Sequence, residues 1–375
     1  MIKNLILKRL ILLYFRFKFK QNLHILGIES SCDDAAVSII CQEERRILCD
    51  IRSSDIKNNS RMGGINPHSA ARHHREAFPR LIRDALCESR IRAYDIDVVA
   101  VTNRPGLVNS LKVGIEYAIC FARTYYRPLI PIHHMRAHAL IQRLLNSELN
   151  YPFAALLVSG AHCILCIVYS PVDFKIILDT QSGSPGECLD KLARELCLHH
   201  LNERDQPRYV LTLPQADISE DLDFDLIKGR YLGIIRNRLK DNINDEIGLK
   251  YGASIQYTIA EYICQHLDLS LSLISSFPEF TSLLKRYLVL AGGVASNAYI
   301  FQRISETCNY HNFTVLVPPP HLCTDNGVMI AWAGLEIFGR KENEDKIYWP
   351  NELPDFLRAS HKSPIGPRIE LNIKI

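Results

Sequence analysis

Two stretches about 130 residues apart have the same form, and a chain that repeats this form has few folds open to it. Leu26-Gly-Ile-Glu-Ser-Ser-Cys-Asp-Asp-Ala-Ala-Val-Ser-Ile39 reads as an apolar strand, a small polar turn and a second alternating strand. Leu156-Leu-Val-Ser-Gly-Ala-His-Cys-Ile-Leu-Cys-Ile167 repeats that pattern. A third glycine turn, Leu288-Val-Leu-Ala-Gly-Gly-Val-Ala-Ser-Asn297, leads into a helical stretch, Ala298–Cys308. One such turn alone is a plain hairpin. Three in order suggest two α/β halves facing a nucleotide cleft, with small residues letting backbone N–H groups approach phosphate oxygens. The intervening pattern agrees: Ala71–Glu88 reads as a helix, Val98–Val101 as a buried strand and Ser110–Arg123 as a helix, with Pro128 and Pro131 at its exit. Ala253–Ile274 and Val328–Ile337 read as further helices. Leu198–Lys250 is charged and weakly periodic and receives no assignment. The expected organisation is a leader over 1–23, an N-terminal half over 24–131, a C-terminal half over 132–340 and a polar tail over 341–375.

Composition narrows the function classes. With 47% hydrophobic and 23% charged residues, the chain is neither a disordered tail, a collagen-like repeat nor a polytopic membrane protein. Residues 1–20 hold six basic side chains and no acid; without them 38 basic residues face 41 acidic ones. The body is therefore not a basic nucleic-acid-coating protein, and any RNA contact is a local patch. In the leader, Lys8, Arg9, Arg16 and Lys18 interrupt any transmembrane run, so no membrane span is expected, and the apolar core Leu10–Phe15 is short for a secretory signal. A basic amphipathic mitochondrial import peptide fits better. Of the twelve cysteines, Cys163 and Cys166 form a C-x-x-C, but on a strand they point to opposite faces. Buried, reduced cysteines are the expectation.

The sharpest chemical signal is Ile132-His-His-Met-Arg-Ala-His-Ala-Leu140. Helical spacing puts His134 and His138 on one face, a pair of the kind that binds zinc or iron, while His133 points elsewhere. The candidate oxygen ligand is Asp325, in Pro318-Pro-Pro-His-Leu-Cys-Thr-Asp-Asn-Gly-Val-Met329. Spacing alone leaves two alternatives open: satisfied surface histidines, and Asp325 as a helix N-cap. A zincin protease needs a glutamate beside its first histidine, and Met135 stands there. Asp33 and Asp34 lie in the first turn, where a carboxylate could hold a metal or water, or simply form an Asx turn. Ser159 and Gly160 in the second turn could present N–H groups to an oxygen. Asp190 and Lys191 sit in an amphipathic helix, with helix-end charge as the plain reading. Asn297 either hydrogen-bonds a nucleoside or caps the next helix.

Taken together, ESSCDDA, GGINPHSAARHH, PGLVNSLKVG, HHMRAH, LLVSGAH, GECLDKLAR, AGGVASN and PPPHLCTDNGVMIAWAG resemble one family. It is the tRNA N6-adenosine threonylcarbamoyltransferases, once labelled O-sialoglycoprotein endopeptidases, and the N-terminus looks like the mitochondrial branch. The match covers about residues 24–197 and 285–340. It implies the two-domain actin-like and sugar-kinase ATPase fold, with duplicated α/β domains around a nucleotide cleft. It also implies the reaction. A separate synthase makes threonylcarbamoyl-AMP, and the enzyme passes the threonylcarbamoyl group to the N6 amine of the adenosine following the anticodon. The implied substrates are mitochondrial tRNAs reading codons that begin with A, and the implied location is the mitochondrial matrix. By position, His134, His138 and Asp325 would hold one divalent metal ion per subunit, iron or zinc. The turn Leu157, Val158, Ser159, Gly160, Ala161, with Asp190 and Asn297, would contact the adenylate. Asp33 is the catalytic candidate for a water or metal contact near the phosphate. A homodimer is expected.

The chain departs from the family pattern at four places. Arg136 replaces an acid between the histidines, Ala161 stands where the second turn has glycine, and His68 replaces an acid. The Gly-Gly-x-x-x-Glu segment has no clear counterpart in 197–225. These departures keep a second hypothesis open: a degenerate member, or an incomplete isoform, that only binds tRNA or partners. An ATP-using sugar-kinase relative is a third, but it has no use for the histidine pair.

Overall fold

The computed structural model describes residues 22–55, 66–198, 210–212, 216–217, 221–239 and 245–369. Residues 1–21 of the leader expected over 1–23 and most of the 197–225 stretch lie outside the described residues. The chain divides into two compact units, Met1–Leu145 with Asp325–Pro364, and Asn146–Thr324 with Ile365–Ile375.

Unit 1 is built on β1 (His24–Glu29), β2 (Asp34–Cys41), β3 (Arg46–Ser54), β4 (Val98–Arg104) and β5 (Leu129–His133), in the order β3-β2-β1-β4-β5. β1, β2 and β3 form antiparallel hairpins, whereas β1, β4 and β5 run parallel. The central strands carry the apolar runs Ile25–Ile28 and Val98–Val101 because both sheet faces are covered. Helices α1 (Pro67–Ser89) and α2 (Val108–Tyr125) pack with β2 and β4. Asn66 opens α1 by accepting hydrogen bonds from the His68 and Ser69 amides. Helix α3 (His134–Leu145) follows β5 directly.

Unit 2 repeats the plan. Its strands β6 (Phe153–Val158), β7 (Cys163–Val168), β8 (Phe174–Leu178), β11 (Arg286–Ala291) and β12 (Phe313–Leu316) lie in the order β12-β11-β6-β7-β8. Here β6, β7 and β8 are antiparallel, and β6, β11 and β12 are parallel. The two sheets therefore share one topology, strand for strand, as the repeated strand-turn-strand pattern implies. A short pair, β9 (Thr180–Ser182) and β10 (Leu222–Asp223), lies apart. The helices are α4 (Pro185–Glu195), α5 (Phe224–Ile234), the long α6 (Asp245–Ser276), the single turn α7 (Pro278–Thr281), α8 (Ala298–Tyr310) and α9 (Pro320–Cys323). Cys163 and Cys166 are buried on β7, and all twelve cysteines are free thiols.

Helix α10 (Gly327–Phe338) belongs to unit 1. It packs with β1, β2 and β4 and lies beside α3. Its approach to β1 is very close: a Cβ on Gly27 would meet the Gly327 carbonyl oxygen at 2.2 Å and the Ala331 nitrogen at 2.6 Å. No other residue type fits at Gly27.

Two boundaries differ from the sequence expectation. Unit 1 runs to Leu145, because β5 is the edge strand of its sheet and α3 stays on that sheet, and it regains Asp325–Pro364 through α10. The segment after 340 is also not a loose polar tail. Tyr348 bridges Leu129, Leu357 joins the unit 1 core, and Arg368 bridges Ile176 in unit 2. Its polar residues satisfy edge-strand and loop backbone groups, such as Gly106 donating to the Ser360 carbonyl. Among the described residues no helix is long and apolar enough to cross a membrane.

Candidate metal centre

His134 is the first residue of α3, where β5 turns into the helix, and His138 follows one turn later. Their rings stand edge to face, with centroids 4.7 Å apart and an interplanar angle of 88°. The two Nε2 atoms are 3.2 Å apart, and Asp325 Oδ1 lies 3.4 Å from His134 Nε2 and 3.2 Å from His138 Nε2. Ligands at about 2.0–2.1 Å from a tetrahedral ion are separated by about 3.3–3.4 Å. The three side chains thus already mark one face of a coordination shell of that size. Among the described residues this is the one cluster of three such groups.

The helix-cap alternative for Asp325 is resolved by its neighbour. Asn326, fully buried, is the N-cap of α10 and accepts from the Met329 amide at 2.8 Å. Asp325 is left to face the histidines. Arg52 of β3 donates to the Asp325 carbonyl at 3.2 Å and pairs with Asp50 at 3.1 Å, which fixes the backbone there.

Behind His134 sits Glu29, the last residue of β1 and fully buried. Its Oε2 is 3.2 Å from His134 Nδ1 and accepts from the Thr102 hydroxyl at 2.5 Å. Its Oε1 accepts from the Ser31 amide at 2.5 Å. Sequence reasoning assigned Glu29 no role. The available signal was a lone acid closing the otherwise apolar run His24–Glu29, a position that is costly unless the carboxylate is partnered.

The electrostatics suit a cation. Burial works against a charged His134, but the Asp325 and Glu29 carboxylates raise its pKa to about 10. Burial would raise the carboxyl groups, yet His134 holds Glu29 below and Asp325 well below the usual range. With two carboxylates and one imidazolium, Glu29, Asp325 and His134 together carry net negative charge, which a divalent ion in place of the proton would offset. His133 is separate: its Nε2 lies 3.2 Å from the Ser363 carbonyl, and burial pushes its pKa down to about 3.

Asp33 lies in the turn between β1 and β2, outside the three-ligand cluster. Its neighbour Asp34 hydrogen-bonds Ser54.

The remaining site residues belong to unit 2. Leu157 and Val158 are buried on β6, opposite Ile164 and Cys163, so they have only backbone groups to offer a ligand. The Ser159 amide does not point outward as expected; it donates to the His162 carbonyl at 2.8 Å. The Ser159 hydroxyl accepts from the Ala161 and His162 amides at 3.2 and 3.0 Å, closing a tight serine turn. Gly160 and Ala161 are exposed at its tip. Gly186 donates to the Ser159 carbonyl at 3.2 Å and Ser184 to the Gly160 carbonyl at 2.6 Å, which seats α4 on this turn. Asp190 is exposed and pairs with Arg194 at 2.7 Å. Asn297 caps α8, accepting from the Tyr299 and Ile300 amides at 3.1 Å each, and donates to Gln256 at 3.0 Å.

Comparison with known proteins assigns the chain a family. A family model described as tRNA N6-adenosine threonylcarbamoyltransferase matches residues 46–332, more than half of the chain. A Caenorhabditis elegans protein named as a probable mitochondrial tRNA N6-adenosine threonylcarbamoyltransferase is 39% identical, over 97% of this chain and 87% of the relative. The human mitochondrial enzyme of that name is 34% identical, over 83% and 80%. The Rickettsia massiliae enzyme is 36% identical, over 84% and 93%. Among solved structures, component A of the Acidaminococcus fermentans (R)-2-hydroxyglutaryl-CoA dehydratase is similar with a TM-score of 0.51 at 13% identity, over 85% of this chain and 100% of that one. Full-length HypF gives 0.51 at 14%, over 84% and 55%. At such identities the structural likeness is one of fold, the duplicated actin-like and sugar-kinase type. From its sequence relatives, the chain belongs to the tRNA N6-adenosine threonylcarbamoyltransferase family and is a transferase that modifies tRNA.

Proposed function

We propose that this chain works in the mitochondrial matrix, on mitochondrial tRNAs reading codons that begin with A, with threonylcarbamoyl-AMP supplied by a separate synthase. The mitochondrial names of its animal relatives support the location. In the reaction, the adenosine N6 forms a bond to the carbamoyl carbon, the bond from that carbon to the phosphate oxygen breaks, and the amine loses a proton as AMP leaves. The observation that carries the reading is the converging trio His134, His138 and Asp325.

These three residues would hold one divalent ion, zinc or iron. Bound there, it supplies Lewis acidity toward an oxygen of the adenylate. Asp33 is assigned a contact to water or the ion near the phosphate. In unit 2, the serine turn at 157–161, Asp190 and Asn297 are assigned to the adenylate, with Gly160 at the exposed tip as the point of backbone approach. Holding the adenylate in a fixed orientation supplies rate acceleration, because AMP is a good leaving group and needs no strong general acid. A homodimer is the assigned oligomeric state.

The test is direct transfer. The full chain is incubated with unmodified mitochondrial tRNA, threonine, bicarbonate, ATP and a threonylcarbamoyl-AMP synthase, and the digested tRNA is read by mass spectrometry. Threonylcarbamoyladenosine is expected with wild type and lost with His138→Ala and in the synthase-only control. A folded wild-type chain that gives no product, beside an active reference enzyme, would favour the degenerate reading, in which Ala161 disables the turn.

A further inference from the structure

We infer that Glu29 is a positioning residue of the metal centre, fixing His134 with its Nδ1 protonated and its Nε2 lone pair directed at the ion. The inference rests on the metal reading of the trio and extends it to a residue outside the ligand set.

The argument begins with Glu29 itself. It is fully buried, at the end of β1, and its carboxylate is held from three directions. The Ser31 amide binds Oε1, while the Thr102 hydroxyl of β4 and His134 Nδ1 share Oε2. Most of the four or so lone-pair sites of the carboxylate are thus occupied, and none of these contacts is with His138 or Asp325. Glu29 is also absent from the three-ligand cluster. It therefore acts through His134 and does not bind the ion directly.

An ionised carboxylate only accepts hydrogen bonds, so its neighbour Nδ1 must donate. A neutral imidazole with Nδ1 protonated has its lone pair on Nε2, the nitrogen that faces Asp325 and His138. The second histidine has no such support. His138 Nδ1 is buried without a hydrogen-bond partner, so this chain sets the tautomer of one ligand of the pair and leaves the other unspecified. Outer acceptors of this kind commonly carry 10–100-fold of metal affinity.

The test uses the chelator-treated full chain titrated with Co2+, read by its visible absorption. Wild type is expected to bind one ion per chain with a tetrahedral spectrum, and His138→Ala to lose it. Glu29→Gln, which keeps the shape, is expected to weaken Co2+ binding about 10–100-fold. Thr102→Val, which removes one support of the carboxylate, should weaken it less. Unchanged affinity in Glu29→Gln, with His138→Ala still blind to Co2+, would overturn the role of Glu29 and leave the site intact. Indistinguishable binding by wild type and His138→Ala would instead sink the metal reading, and Glu29 with it. Nitrogen NMR of Zn2+-loaded wild type gives a readout that needs no variant: His134 should be protonated on Nδ1. Protonation on Nε2 would contradict the inference even if Glu29→Gln failed to fold.

Discussion

Asn326 accepts the Met329 amide at 2.8 Å and so caps the helix that begins at Gly327, two residues after Asp325. The two adjacent side chains divide the work, one ending a helix and the other facing two histidines. Their substitutions should therefore separate. Asn326→Ala is expected to cost about 1 kcal/mol of stability, the usual value for a lost cap. Asp325→Ala should lose metal, whereas Asn326→Ala should keep it. Titration of both variants with Zn2+ checks this, and loss of metal by Asn326→Ala would show that the cap also holds the ligand in place.

Metal should stabilise the native chain. An ion present at a hundred times its dissociation constant adds about 2.7 kcal/mol. Zn2+ is expected to raise the melting temperature of wild type and to leave His134→Ala and His138→Ala unchanged. Calorimetry with and without chelator makes the comparison.

Gly292 has φ +101°, and a Cβ there would lie 2.4 Å from the Val158 carbonyl oxygen. Both the backbone conformation and the space exclude a side chain. Gly292→Ala is expected to destabilise unit 2 by about 1–3 kcal/mol or more, against a near-neutral Gly229→Ala control, since a Cβ at Gly229 meets nothing within 4 Å. Limited proteolysis should show the loss in fragments of unit 2.

Acid should destabilise the fold through buried histidines. His133 ionises at about 3 in the folded chain against an ordinary 6.5, because burial disfavours its charged form. Between those values the unfolded chain binds the extra proton, so stability is full above 6.5 and declines as the pH falls toward 3. His74, buried and also held below its ordinary value, acts in the same direction. His133→Gln should flatten the pH dependence of urea unfolding between pH 6.5 and 4. An unchanged slope would show that His133 is not the group responsible.

Much of this protein follows from local pattern. Apolar runs bounded by small turns predict the strands, and helical periodicity predicts the cores of α1, α2, α8 and α10 to within a few residues. The i, i+4 histidines predict a pair on one helix face because helix geometry is local. The duplication is visible for the same reason, since each copy repeats a strand-turn-strand unit. Residues far apart in the chain are a different matter. That α10 returns to unit 1 depends on Gly27 and Gly327 allowing helix and strand to touch, which neither residue signals alone. Asp325 could have capped a helix or faced the histidines; Asn326 takes the cap, and the placement of α10 beside α3 brings Asp325 to the pair. Glu29 gained its partners Thr102 and His134 only when β1, β4 and α3 came together. Backbone periodicity is written in neighbouring residues, so the strands and helices named above, their repeat and the histidine pair are legible in the chain. Burial and side-chain convergence are properties of packed elements, so the approach of Asp325 to the histidines, the carboxylate behind His134 and the boundary between the two units arise only on folding.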